Sequence, residues 1–241
     1  MIVEVNFKLR PLPFETRSIV VLGERENLLP GAQRVIGSRL FPVAAELLSP
    51  ELGQDVELCD GRDHVLLLRF AGSASALMQQ IDSARELVRD KDGGRPAFMV
   101  DDRGLWDSLA RSPFRFRQDL VWRVGLRPAD VPTFLANFDE TSAREGSWRT
   151  IWHAGVGDGR VRVVDRLRTD ENESGEIGPD TIRRLESFRD LATNLGGTLI
   201  IEHAPAEIRD HANTWETNDV ARGIEQRIKQ QLDPDGIFPQ M

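Results

Sequence analysis

Residues 179–203 read P-D-T-I-R-R-L-E-S-F-R-D-L-A-T-N-L-G-G-T-L-I-I-E-H. Ile182, Leu185, Phe188, Leu191 and Leu195 recur at spacings of three and four, which predicts an amphipathic helix from Pro179, and Gly196 is placed to end it. The apolar run 199–202 then predicts a strand that closes on Glu202 and His203. Helix, glycine pair and strand are the last members of a longer pattern.

Working upstream, Leu120, Trp122, Val124 and Leu126 alternate with Val121, Arg123, Gly125 and Arg127, as in a strand. Pro128 opens a helix that runs into 131–138. Residues 148–154 and 161–164 predict a hairpin across Gly155, Gly157, Asp158 and Gly159, with the glycines supplying positive φ. The second half, about 118–205, therefore reads β-α-β-β-α-β. The first half, about 14–100, repeats that order: strand 18–22, helix 28–40, strand 43–48, a nearly all-apolar strand 64–70, a helix marked by Leu77, Ile81, Ala84 and Val88 after Ser73 or Ser75, and strand 97–100. Residues 101–117 read as a connector, 169–176 as an acidic solvated loop and 206–241 as a C-terminal helix and tail. Val3, Val5, Phe7 and Leu9 alternate with polar residues in a further half-buried strand that Pro11 and Pro13 end. The expected fold is α+β: a duplicated ferredoxin-like arrangement forming one extended antiparallel sheet with helices on one face.

Composition narrows the function classes. A net charge of -8 without clustered Lys and Arg argues against nucleic acid as a partner. No apolar run approaches the ~20 residues that span a bilayer, and Glu4, Asn6 and Lys8 interrupt any leader-like start, so a cytoplasmic location is expected. Cys59 is the only cysteine, which excludes an intramolecular disulfide and a thiolate metal cluster.

Two segments carry residues suited to chemistry. W-H-A-G-V-G-D-G-R, residues 152–160, has the glycines of a phosphate loop, but strands flank it on both sides, whereas dinucleotide fingerprints join a strand to a helix. Glu202 and His203 end the closing strand, and an imidazole suits proton transfer because its pKa lies near working pH. His153 and His203 lie at ends of strands that are neighbours in one sheet on this reading. Both histidines equally suit ordinary hydrogen bonding, and the choice stays open at this point.

The order F-R-D-L-A-T-N-L-G-G, T-L-I-I-E-H-A-P, Trp215, Lys229 and D-P-D-G-I-F, residues 233–238, resembles the C-terminal end of FAD-linked oxidases of the vanillyl-alcohol oxidase type, in particular the FAD-binding subunit of glycolate oxidase. M-I-V-E-V-N-F-K-L-R-P-L-P is similar to the strand that leaves the flavin domain in these proteins. The resemblance implies a substrate or cap domain over 1–241, with the N-terminal FAD-binding domain absent from the chain. FAD is then expected only together with that missing domain or subunit. It implies an oxidoreductase acting on a small 2-hydroxy acid, inactive alone, with a C-terminal tail that returns toward the flavin domain.

Residues 152–160 also resemble H-x-G-D-G-N-x-x-H of the D-lactate and D-2-hydroxyglutarate dehydrogenase branch, where two histidines and a later glutamate hold a divalent metal. His153, Gly155 and Gly157 match; Val156 and Asp158 depart, and Arg160 stands at the second histidine. The resemblance implies His203 as the catalytic base, with His153, Arg160 and Glu202 as substrate contacts and His153 and Glu202 as possible metal ligands. Arginine stays protonated and cannot ligate a metal, so Arg160 is expected to clamp a substrate carboxylate instead. The Asn-Pro-Gly-Arg ending of the family is missing. A non-catalytic binding or assembly module keeping the cap fold is the alternative, because ferredoxin-like units host many binding functions. An apolar face left by the missing domain favours association, including homo-oligomerisation.

Overall fold

The computed structural model describes residues 13–89, 98–100, 104–114, 119–143, 148–167, 179–209 and 219–237. The expected strand at 2–10 and Trp215 lie outside them. The strands are β1 (Glu15–Gly23), β2 (Ala44–Leu48), β3 (His64–Gly72), β4 (Phe98–Val100), β5 (Leu120–Gly125), β6 (Trp148–Gly155), β7 (Arg160–Leu167) and β8 (Thr198–His203). They form one sheet in the order β4-β1-β3-β2-β6-β7-β5-β8, and every neighbouring pair is antiparallel. The α+β expectation with an extended antiparallel sheet therefore holds.

Four helices, α1 (Arg25–Ile36), α3 (Ala74–Val88), α5 (Val131–Ala143) and α6 (Pro179–Asn194), cover one face. Their apolar stripes, such as Leu77, Ile81, Ala84 and Val88, meet Leu66, Leu68, Phe70, Trp122 and Trp152 from the sheet. Helices do not occupy one face only, contrary to the sequence expectation. The short helices α2 (Pro50–Asp55) and α4 (Leu105–Arg111) pack on the opposite face, where Leu52, Leu105 and Leu109 join Val20, Leu48, Val65, Leu67, Val121, Ile151 and Val164. The physical reason lies in β3. Its apolar run places Leu66 and Leu68 on one side and Val65 and Leu67 on the other, and both sides need cover. α4 also shows that the segment taken as a connector is partly helical.

The β2–β6 pair is the seam between the halves, with Leu48 opposite His153 and Glu46 opposite Gly155. Ser49 continues it: its backbone N–H donates to the Trp152 carbonyl (2.9 Å), while its Oγ accepts from the N–H groups of Trp152 (3.2 Å) and Leu52 (3.3 Å), the latter capping α2. On the helix face, buried Arg25 of α1 pairs with Asp139 and donates to the Leu135 carbonyl (3.1 Å), both on α5, which ties the halves a second time. Gly196 ends α6 with φ 71°, as expected. Beyond β8 come α7 (Ala206–Arg209) and α8 (Asp219–Leu232), then a turn in which Asp233 accepts from Lys229 Nζ (2.7 Å) and from the Ile237 N–H (2.7 Å).

Among the described residues Asp165 and Arg184 form the most deeply buried ion pair, 1% and 3% exposed and 3.1 Å apart. Trp122 Nε1 (2.8 Å) and Thr150 Oγ1 (2.7 Å) donate to the same carboxylate, so α6 is fixed to β5, β6 and β7 through one side chain. Truncating Asp165 removes the carboxylate that Arg184, Trp122 and Thr150 share in the core. Asp165→Ala is therefore expected to lower stability by about 3–5 kcal/mol, read as a fall in the urea midpoint at unchanged slope; an unshifted midpoint would contradict the assignment.

Candidate functional site

Antiparallel register sets two rows of residues across four strands on the face opposite the long helices. The first runs Arg123, Arg162, His153, Leu48 on β5, β7, β6 and β2; the second runs Gly125, Arg160, Gly155, Glu46 on the same strands. Directly opposed residues share a face. Two glycines in the second row leave its floor without side chains. The result is a cavity of about 220 Å³ lined by Glu46, Arg123, His153, Gly155, Asp158, Arg160 and Arg162.

The β6–β7 turn shapes one wall. Among the hairpin glycines expected to supply positive φ, only Gly159 does so (75°), and an added Cβ there would lie 2.0 Å from the Leu126 carbonyl oxygen. Gly155 serves a different end: a Cβ would meet Asp158 Oδ1 at 2.2 Å. With that space free, Asp158 folds back, accepts the Arg160 N–H (3.0 Å) and pairs with the Arg160 guanidinium (2.8 Å). Arg160 is consequently an exposed, carboxylate-paired residue at the rim.

Arg123 and Arg162 stand directly opposite one another, an arrangement that costs free energy unless a counter-charge is supplied. Glu202 supplies it. A bulge in the β5–β8 pairing lies at this point, and the Glu202 carboxylate accepts from Arg123 Nε (2.7 Å) at Oε1 and from Arg162 Nε (2.7 Å) at Oε2. Burial acts to raise the Glu202 carboxyl, but the hydrogen bonds and charges of Arg162 and Arg123 outweigh it and hold the group below the ordinary glutamate range. Phe114 adds an aromatic face 6.0 Å from the Arg162 guanidinium carbon.

His153 Nδ1 lies 3.1 Å from Glu46 Oε2, and its Nε2 is buried without a hydrogen-bond partner among the described residues. His203 sits opposite Val121 near the end of β8, outside the cavity lining, where its charge reaches Asp119. The structure thus brings His153 and Arg160 together, puts Glu202 behind the arginine pair, and leaves His203 apart. Among the described residues no group of three or more His, Cys, Asp or Glu is placed to hold a metal ion. Sequence reasoning missed Glu46, Arg123 and Arg162. The available signal was a charged residue on the apolar side of a strand pattern: Glu46 within V-A-A-E-L-L, and Arg162 within V-R-V-V.

The sequence matches no protein-family model and no curated protein. Solved structures do match. Superposition on p-cresol methylhydroxylase with substrate bound gives a TM-score of 0.62 at 14% identity, covering 96% of this chain and 53% of that one. The 4-ethylphenol oxidase from Gulosibacter chungangensis in its isoeugenol complex gives 0.61 at 16%, covering 96% and 54%. An alkyldihydroxyacetonephosphate synthase gives 0.57 at 12%, covering 96% and 45%. The likeness is one of fold, and this chain spans about half the length of each of these proteins.

Because the folded Glu202 carboxyl titrates below its unfolded counterpart, the stability it contributes is complete above the ordinary glutamate range and is lost as acid protonates the folded group. Glu202→Gln should cost about 1–3 kcal/mol at neutral pH. The difference from the parent should shrink as pH falls through the carboxylate range, measured by urea unfolding at a series of pH values; a gap independent of pH would refute the assigned charge state.

Proposed function

We propose that this chain is the substrate-binding cap domain of an FAD-linked oxidoreductase acting on a small 2-hydroxy acid, working with an FAD-binding domain or subunit. The motifs at 152–160 and 188–238 support the family, and the fold shared with oxidases and a methylhydroxylase of about twice its matched length supports the division of labour. The two halves read as a duplicated ferredoxin-like unit, since each orders its strands fourth, first, third, second outward-in toward the β2–β6 seam.

The observation that carries the substrate class is the arginine pair. Glu202 occupies both Nε atoms, while neither Arg123 nor Arg162 has a protein partner for its Nη1 among the described residues. A planar carboxylate matches such pre-oriented forks. The side chains are held before any ligand arrives, which reduces the ordering cost of binding. Arg160 contributes at the rim, and His203 has no place in this reading.

The glycine turn at 155–159 does not fit the FAD pyrophosphate, because it joins two strands and closes on the Leu126 carbonyl. FAD held elsewhere would supply the redox chemistry. The cap's own residues bind the carboxylate, orient the carbon bearing the hydroxyl and shelter it from water.

Glycolate or D-lactate titrated into the chain is expected to shift the Arg123 and Arg162 Nε resonances, and Arg162→Ala to weaken binding about tenfold or more, the loss of a charge-assisted hydrogen bond. Silence of these resonances would remove the substrate class. A yellow complex with an FAD-binding partner, bleached anaerobically by the same acid, would support oxidation; binding without bleaching in that complex would leave a binding module.

A further inference from the structure

We infer that His153, positioned by Glu46, is the hydroxyl acceptor of this cavity and makes it discriminate hydroxy acids from plain carboxylates; the inference rests on the reading of the Arg123–Arg162 pair as the carboxylate seat. Three features of the cavity carry it. His153 is the next residue along the same row as Arg162 and Arg123, one strand over, and lines the same cavity. Side chains opposed in this way stand ~5 Å apart at Cβ, close enough for one small ligand to touch both.

The Glu46 contact also sets the tautomer of the neutral imidazole. Nδ1 faces the Glu46 carboxylate at 3.1 Å, and a carboxylate can only accept there, so Nδ1 carries the hydrogen in the neutral ring. Nε2 then presents a lone pair. That atom is buried and has no hydrogen-bond partner among the described residues, an arrangement that leaves free energy to be recovered by a ligand donor. Both side chains are sheltered, with 16% of His153 and 19% of Glu46 exposed, so water competes weakly for the contact.

The third element of the fit is the open floor at Gly125, where an added Cβ would come no closer than 3.8 Å to Thr198 Oγ1, while Asp158 takes the space above Gly155. A compact ligand with a carboxylate and an adjacent hydroxyl suits the space that remains beside His153 and Arg123. Glu46 touches only His153 in this scheme and is a positioning residue.

The test compares glycolate, methoxyacetate and acetate by NMR titration of the full chain. These share the carboxylate, but only glycolate has a hydroxyl to donate. The parent is expected to favour glycolate by about tenfold, the value of one such bond. His153→Phe should abolish the preference while acetate affinity stays within about twofold, and Glu46→Gln should reduce it. Where a variant fails to fold, nitrogen-15 correlation spectra of the parent decide: the Nδ1–H tautomer, with the Nε2 resonance shifting on addition of glycolate and not of acetate, supports the inference. Retention of the preference in His153→Phe, or an Nε2–H tautomer in the parent, would overturn it while carboxylate binding stood. Absence of any carboxylate binding would overturn it together with the reading on which it rests.

Discussion

The β6–β7 hairpin is held in one register by the turn at 156–159, and the chemistry of both sheet faces depends on that register. Alternate residues of a strand point to opposite faces, so a slip by one position would exchange the two sets completely. In the observed register Trp152 and Val163 face the long helices, while His153 and Arg162 face the other way. Gly159, closed against the Leu126 carbonyl, and Asp158, folded into the space at Gly155, set the turn. The same hairpin is tied to the first half through β2, so the pairing that joins the halves also brings Glu46 to His153.

Among the described residues, three of the charge networks on the sheet divide the work. Asp165 and Arg184 lie on the helix face, fully desolvated, with Trp122 and Thr150 completing the carboxylate's hydrogen bonds. At one end of the opposite face Arg166 joins Asp55 (2.9 Å) and Asp119 (3.3 Å), and Arg149 also reaches Asp55, which fastens α2 to β6 and β7. Burial pushes the Asp119 carboxyl up against the pull of Arg166, so this network holds its charge at a cost. Of these three, the network around Glu202 is the one that borders the cavity. There the Glu202 carboxylate holds Arg123 and Arg162, and both arginines line the cavity.

Local pattern made most of the fold readable. Strict alternation at 120–126 and the apolar run at 64–70 located β5 and β3, and the three-and-four spacing from Ile182 to Leu195 located α6. α2 escaped because the six residues from Pro50 to Asp55 are too few to show a period, and with α4 it escaped as cover for the second face. The site was half legible for a related reason. His153 and Arg160 lie on one hairpin and were found together, whereas Glu202 meets partners 79 and 40 residues away, and nothing in its own neighbourhood names them. Arg160 and Arg162 point to the same face two residues apart. Asp158 engages the first within the turn, and only the tertiary pairing shows that Glu202 orients the second.

Net charge would argue against anions here, since the chain carries -8 and the cavity itself sets three arginines against Glu46, Asp158 and Glu202. Long-range steering is therefore unfavourable or absent, but exposed charges beyond about 8–10 Å are screened at physiological salt. At contact distance position decides. Asp158 draws Arg160 to the rim, Glu46 faces His153, and Glu202 approaches Arg123 and Arg162 from the Nε side, so each acid is directed at a protein group. On the proposed reading a ligand carboxylate would meet guanidinium donors first, and the acids that neutralise the site on paper are the ones that hold those donors in place.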